Sequence, residues 1–168
     1  MCIRDSLVTA HRSENVDNPI YLERIFDAMS ALVDRFGLQI IYPMHPRTRS
    51  KLKSISVHDK VTIMPPLGFY DFNQLLKQSF CVLSDSGTGA EEGLFYGVPN
   101  VSLRMATERI ETLESGATIV SGMSVENITE SVVTAVSQPW NVRYEFEEGH
   151  SPSSVVVNAI RTQITNFF

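Results

Sequence analysis

Nothing in the chain constrains its fold more than the run from Phe80 to Pro99, FCVLSDSGTGAEEGLFYGVP. Phe80-Cys81-Val82-Leu83 is short and apolar, Ser84 to Gly89 is small and hydroxyl-rich, and the segment after it suits a helix closed by Gly97 and Pro99. The pattern predicts a buried strand, a tight loop and a helix. Backbone N–H groups at a helix start lack intrahelical partners and carry partial positive charge, so the loop outlines an anion site. Gly87 and Gly89 would let a ligand approach the backbone, Ser86 and Thr88 add hydroxyl donors, and Glu91 and Glu92 fall in the first helical turns, where one of them can reach a ribose diol. The plain alternative is a capped helix with Ser or Asp as its cap and glutamates near its positive end. The loop does not follow the GxxxxGK[ST] pattern.

The alternation along the rest of the chain extends this unit into a parallel sheet. Leu7–Ala10, Leu38–Tyr42, Val61–Met64, Asn100–Leu103 and Ala117–Val120 read as further strands. Between them, Ile25, Met29, Leu32, Val33 and Phe36 recur at helical spacing after Asn18-Pro19 and before Gly37. A short helix to about Ile55, one after Gly68, one from Glu126 to Val136 and a closing one from Val155 to Ile164 complete the pattern. Strand and helix in alternation, with short links, predict an α/β, doubly wound, Rossmann-like sheet with right-handed crossovers. Residues 1–6 do not continue the first strand pattern and read as a leader foreign to a domain spanning 7–168.

With 168 residues, 43% of them hydrophobic, one substantial core is feasible. A net charge of −5 argues against nucleic acid as the main partner. No apolar run approaches the ~20 residues of a membrane span, and Met1 to Ser6 has no signal-peptide core. The two cysteines, Cys2 and Cys81, form no CxxC pattern, which fits a reduced, cytoplasmic setting.

Three polar clusters follow three different strands: His11-Arg12-Ser13-Glu14-Asn15, Ser86-Gly87-Thr88 and Thr107-Glu108-Arg109. Ligands of open α/β sheets bind at strand carboxyl ends, so a common site is expected. One cluster does not suffice. Two or three charge-assisted hydrogen bonds at ~1.5–3 kcal/mol each barely match the ~8 kcal/mol of micromolar binding before association entropy is subtracted. Phe72 is a candidate base platform and Glu92 a candidate ribose ligand.

LVTAHRSENVDN, PMHPRTR, PLGFYDFNQLL, SDSGTGAEE and RMATERIETLESG stand here in the order found in non-hydrolysing UDP-N-acetylglucosamine 2-epimerases, which the chain resembles from Leu7 to Gly122. The HPR and PLGFYDF forms look most like the capsule and O-antigen branch, which acts on UDP-linked 2-acetamido-2,6-dideoxy-L-hexoses. The resemblance implies the C-terminal half of a GT-B type two-domain enzyme, with its N-terminal domain missing and the sugar nucleotide in the cleft between the two. It implies elimination of UDP to a 2-acetamidoglycal and re-addition after C2 inversion, with no cofactor and no metal, in a homodimer. Carried over by motif, His11 is the catalytic histidine, and Ser86, Gly87 and Thr88 hold the diphosphate. Glu92 holds the ribose, Arg109 is the arginine of TER, and Phe72 lies beside uracil. His11, Arg12 and Glu14 also match positions where some members bind a second, activating UDP-sugar. Thr88 and Ala90 depart from the family's SGGxQEE, and Ile110 replaces the proline of TERPE. The carboxylates that handle the C2 proton belong to the other half. Two other readings stay open on the residues: the nucleotide domain of a GT-B glycosyltransferase, and a UDP-sugar binding module without catalysis.

Overall fold

The computed structural model describes residues 5–52, 55–108, 110–114, 116, 118–138, 153, 154, 156, 157, 160 and 161. Six strands form one parallel sheet: β1 (Ser6–Thr9), β2 (Ile40–Pro43), β3 (Val61–Met64), β4 (Val82–Ser84), β5 (Asn100–Ser102) and β6 (Thr118–Val120). Their spatial order is β3-β2-β1-β4-β5-β6. The sheet grows outward in both directions from the β1–β4 pair, the doubly wound arrangement expected from the strand–helix alternation.

Helices α1 (Ser13–Val16), α2 (Pro19–Phe36), α3 (Pro46–Arg49), α4 (Phe69–Gln78), α5 (Gly87–Tyr96), α6 (Ile110–Glu114) and α7 (Val125–Ser137) link the strands. Asn18 starts α2 by accepting from the Ile20 and Tyr21 N–H groups, Pro19 fills the first turn, and Gly37 ends the helix at φ 69°. Gly97 ends α5 in the same left-handed conformation, φ 68°, which a residue with a Cβ rarely adopts. The short helices α1 and α6 were not legible in the hydrophobic pattern, because four or five residues carry too little periodicity. Of the expected closing helix, Val156, Val157, Ile160 and Arg161 are helical, and the remaining positions lie outside the described residues.

Both faces of the sheet are covered, and the period-2 geometry of a strand sorts the side chains between them. Val8, Ile40, Tyr42, Leu83 and Val101 join Ile25, Met29, Ile128 and Val132 of α2 and α7 in the main core. Leu7 and Val82, one residue out of phase, pack with Leu76 of α4 and with Val98. Two buried faces explain why these strands read as apolar runs rather than alternating ones. Among the described residues no helix is long and apolar enough to cross a membrane.

Helix α5 lies unusually close to the sheet, and its glycines allow it. A Cβ on Gly89 would stand 2.7 Å from Ser84 Oγ, and one on Gly93 3.3 Å from the Val98 carbonyl oxygen. Gly89 is therefore a helix–sheet packing residue, a correction to the expectation that it opens the backbone to a ligand. Its carbonyl also accepts from Asn100 Nδ2 at 3.2 Å. A Gly89→Ala variant is expected to lose about 1–3 kcal/mol of stability, the usual range for overpacking, read as a lowered denaturation midpoint at unchanged slope. An unchanged midpoint would show that α5 is free to move away.

Candidate functional site

The crevice at the centre of the sheet lies where β1 and β4 run side by side, with Thr9 in register with Ser84. Beyond Thr9 the chain passes through Ala10, His11 and Arg12 into α1; beyond Ser84 it passes through Asp85 and Ser86 into α5. The His11 and Ser86 loops are thus neighbours at the switch point, where open α/β sheets bind ligands.

Asp85 joins them. Its carboxylate is fully buried, and it accepts from the His11 N–H at 3.0 Å, the Arg12 N–H at 2.9 Å and Asn15 Nδ2 at 3.1 Å. Asn15, also buried, donates through the same amide nitrogen to the Leu103 carbonyl at 2.9 Å and so ties in the end of β5. His11 Nδ1 stands 3.4 Å from Asp85 Oδ1, while the imidazole remains more than half exposed at the crevice. From the other side, the Tyr42 hydroxyl donates to the Ala10 carbonyl at 2.7 Å. Burial, reinforced by the Asp85 charge, holds the Tyr42 phenol well above its ordinary pKa, so it serves as a fixed donor.

The Ser86 side chain does not satisfy the helix start that follows it. Ser86 occupies the cap position of α5, yet its side chain makes no capping hydrogen bond. Its Oγ lies 2.9 Å from Thr88 Oγ1, and its N–H donates to Ser84 Oγ at 3.0 Å. The contrast is with α2 and α7, where Asn18 and Ser124 accept from the helix start. At α5 Ser86 takes the cap position expected of the plain capped-helix reading, but the opening carries partial positive charge with no side-chain acceptor from that residue. Gly87 and Thr88 form the first turn, and Glu92 follows on the same helix. Burial, with the Glu91 charge second, raises the Glu92 carboxyl above its ordinary pKa.

The third cluster reaches the same edge. Glu108 Oε2 pairs with Arg104 Nη1 at 2.8 Å, and its other oxygen lies 3.9 Å from Arg12 Nη2. Its own backbone N–H, then Arg104 and Arg12, outweigh a raising contribution from burial and hold its carboxyl below the ordinary range. Arg104 lines a pocket of about 300 Å³ with Glu14, Asn15, Tyr21, Met105 and Ala106, and its Nε finds no hydrogen-bond partner among the described residues. Arg109 lies outside the described residues. Phe72 is half-buried against Leu7, Leu76 and Val82, whereas Phe69 and Tyr70 on the same helix are 70% and 85% exposed. Cys81 is fully buried, which pushes its thiol up to about 12 and leaves it chemically inert.

Asp85 and Tyr42 are residues of this crevice to which motif reading gave no role there, and Asn15 was named in its cluster without one. A polar residue directly after an apolar strand was the only local signal for Asp85.

A family model described as UDP-N-acetylglucosamine 2-epimerase matches residues 4–160. The UDP-N-acetylglucosamine 2-epimerase of Methanocaldococcus jannaschii is 35% identical over 156 residues, which cover 89% of this chain and 43% of that protein. The UDP-2,3-diacetamido-2,3-dideoxy-D-glucuronate 2-epimerase of Pseudomonas aeruginosa is 33% identical over 132 residues, 79% of this chain and 37% of that protein. The solved structure of the M. jannaschii UDP-GlcNAc 2-epimerase with UDP-GlcNAc and UDP superposes with a TM-score of 0.83 at 32% identity, covering 96% of this chain and 46% of that one. The chain thus spans less than half the length of these relatives, and its fold matches the C-terminal half of the GT-B arrangement.

The raised Glu92 pKa has a sign that can be checked. A carboxyl held above its unfolded value favours the fold below the ordinary glutamate range and loses that contribution as pH rises through the raised value. Glu92→Gln is therefore expected to unfold at a higher temperature than the parent at pH 7, the difference vanishing at pH 3–4. A difference independent of pH would contradict this.

Proposed function

The chain belongs to the UDP-N-acetylglucosamine 2-epimerase family, and from that premise we propose that it forms the UDP-binding half of a UDP-N-acetylhexosamine 2-epimerase. The observation that carries the proposal is the uncapped start of α5 beside the His11 loop. In this reading the diphosphate sits on Ser86, Gly87 and Thr88, and Glu92 accepts from the ribose hydroxyls. Phe72 flanks the uracil, with Phe69 and Tyr70 on the same helix exposed to approach it.

The reaction follows from where charge develops. A base removes the C2 proton while the anomeric C–O bond breaks, and UDP leaves with the bonding electron pair to give a 2-acetamidoglycal. UDP then adds back to C1 while C2 takes a proton on the opposite face. Negative charge grows on the diphosphate during departure, so the α5 start, His11 and Arg109 hold it more strongly in the transition state than in the ground state. The carboxylates that move the C2 proton are assigned to the half of the enzyme beyond this chain. No metal or nicotinamide is required by this route.

The setting proposed is cytoplasmic synthesis of a bacterial surface polysaccharide, capsule or O-antigen, by a homodimer. His11, Arg12 and Glu14 are proposed to face a second, activating UDP-sugar. The relatives' names span more than one 2-acetamido sugar, so the common element taken for this chain is the UDP moiety.

Isothermal titration of the 168-residue chain with UDP is expected to show one weak site, in the high-micromolar to millimolar range, and no turnover of UDP-HexNAc. Glu92→Ala should weaken it by roughly tenfold, the value of one hydrogen bond to a charged group. For the enzyme containing both halves, incubation with UDP-HexNAc in deuterated water should place deuterium at C2. Absence of UDP binding, or of C2 exchange, would overturn the reading; a glycosyltransferase or a binding module gives no exchange.

A further inference from the structure

We propose that Asp85 is the positioning residue of His11: its buried carboxylate faces Nδ1, keeps the ring proton on that nitrogen as a hydrogen-bond donor, and thereby presents Nε2 to the crevice. The inference rests on the reading of His11 as the histidine that meets the leaving diphosphate, and it adds the group that sets which nitrogen does so.

The geometry has three parts. First, Asp85 Oδ1 lies 3.4 Å from His11 Nδ1, and the same carboxylate accepts the His11 and Arg12 backbone N–H groups, so the backbone is held by, and the ring faces, one carboxylate. Second, the carboxylate is fully buried while the ring is 55% exposed, so the contact lies on the protein side of the imidazole. Third, the anchor is itself braced. Asn15 Nδ2 bonds Asp85 Oδ2 and the Leu103 carbonyl, and the Asp85 N–H donates to the Thr9 carbonyl at 3.1 Å.

A buried carboxylate costs several kcal/mol unless its oxygens are matched by donors. The three N–H donors supply most of that matching, and an Nδ1–H on His11 adds to it. The alternative tautomer would point an Nδ1 lone pair at a carboxylate oxygen, which is repulsive. The hydrogen bond that one ring nitrogen makes decides which nitrogen is free, and here that leaves Nε2. In the proposed reaction Nε2, once it carries a proton, is then the atom that donates to the departing diphosphate oxygen, while the Nδ1 proton stays directed at Asp85. This is the division of labour between a buried aspartate and a histidine in hydrolase triads, reached here on a different sheet edge.

The test needs neither substrate nor turnover. The chain is labelled with ¹⁵N at its histidines, and the two-bond ¹H–¹⁵N pattern of His11 is read at alkaline pH, with His11→Gln used to assign it among the four histidines. The expected result is a protonated Nδ1 and a bare Nε2, changing in Asp85→Asn to a pattern in which Nε2 carries the proton. A merely structural role for Asp85 would leave the tautomer unmoved. A wild-type ring protonated at Nε2, or a pattern unchanged in a folded Asp85→Asn, overturns the proposal. Should Asp85→Asn not fold, the ¹³Cγ resonance of Asp85 decides: it moves on His11→Gln if the ring is its partner, and its staying put overturns the proposal. Because no nucleotide is present, failure of this test is distinct from failure of the chain to bind UDP.

Discussion

The candidate site depends on one buried carboxylate. The loops after β1 and β4 are adjacent by topology, but adjacency alone leaves two exposed polar loops free to drift apart. Asp85 closes the gap by accepting from the backbone of both residues that follow Ala10, and Asn15 carries the link to β5. Removing one partner of a buried charge network typically costs 3–5 kcal/mol, so the crevice is held far more tightly than an exposed ion pair would hold it. The same aspartate lies two residues before α5. Its carboxylate accepts from the His11 loop and Asn15, and the start of α5 takes no side-chain cap from Ser86.

That division bears on how the proposed anion site fits an acidic chain. The net charge of −5 would repel a diphosphate if binding depended on side-chain charge summed over the surface. The α5 opening instead contributes partial positive charge from backbone N–H groups, which do not register in a charge count. Arg12 and Arg104 near the crevice are paired with Glu14 and Glu108, so the guanidinium groups there form a balanced lattice rather than an unopposed positive patch. Glu92 carries the opposite burden. Its carboxyl is held partly out of water and beside Glu91, an unfavourable setting for the charged form in the free protein that the proposed ribose hydroxyls would relieve.

The parts legible in the sequence were those that local pattern fixes. Strands buried on two faces announce themselves as apolar runs, and Asn18-Pro19 with Gly37 bracket α2 in one dimension. The motifs put His11, Ser86, Gly87 and Thr88 just past strand carboxyl ends, and the pairing of β1 with β4 makes those ends neighbours. What stayed hidden is what pairs across distance. Asp85 meets a backbone 74 residues away, and its role is invisible until β1 and β4 lie side by side. Gly89 was read as opening the loop to a ligand, whereas its missing Cβ makes room for Ser84. Sequence shows that a glycine is needed; only packing shows which neighbour needs it.

The most direct test of the account is a crystal structure of the chain soaked with UDP. The account places the diphosphate against the first N–H groups of α5 and within hydrogen-bond reach of His11 Nε2, with Glu92 on the ribose. Electron density for UDP elsewhere on the sheet edge, with the α5 start untouched by phosphate, would contradict it.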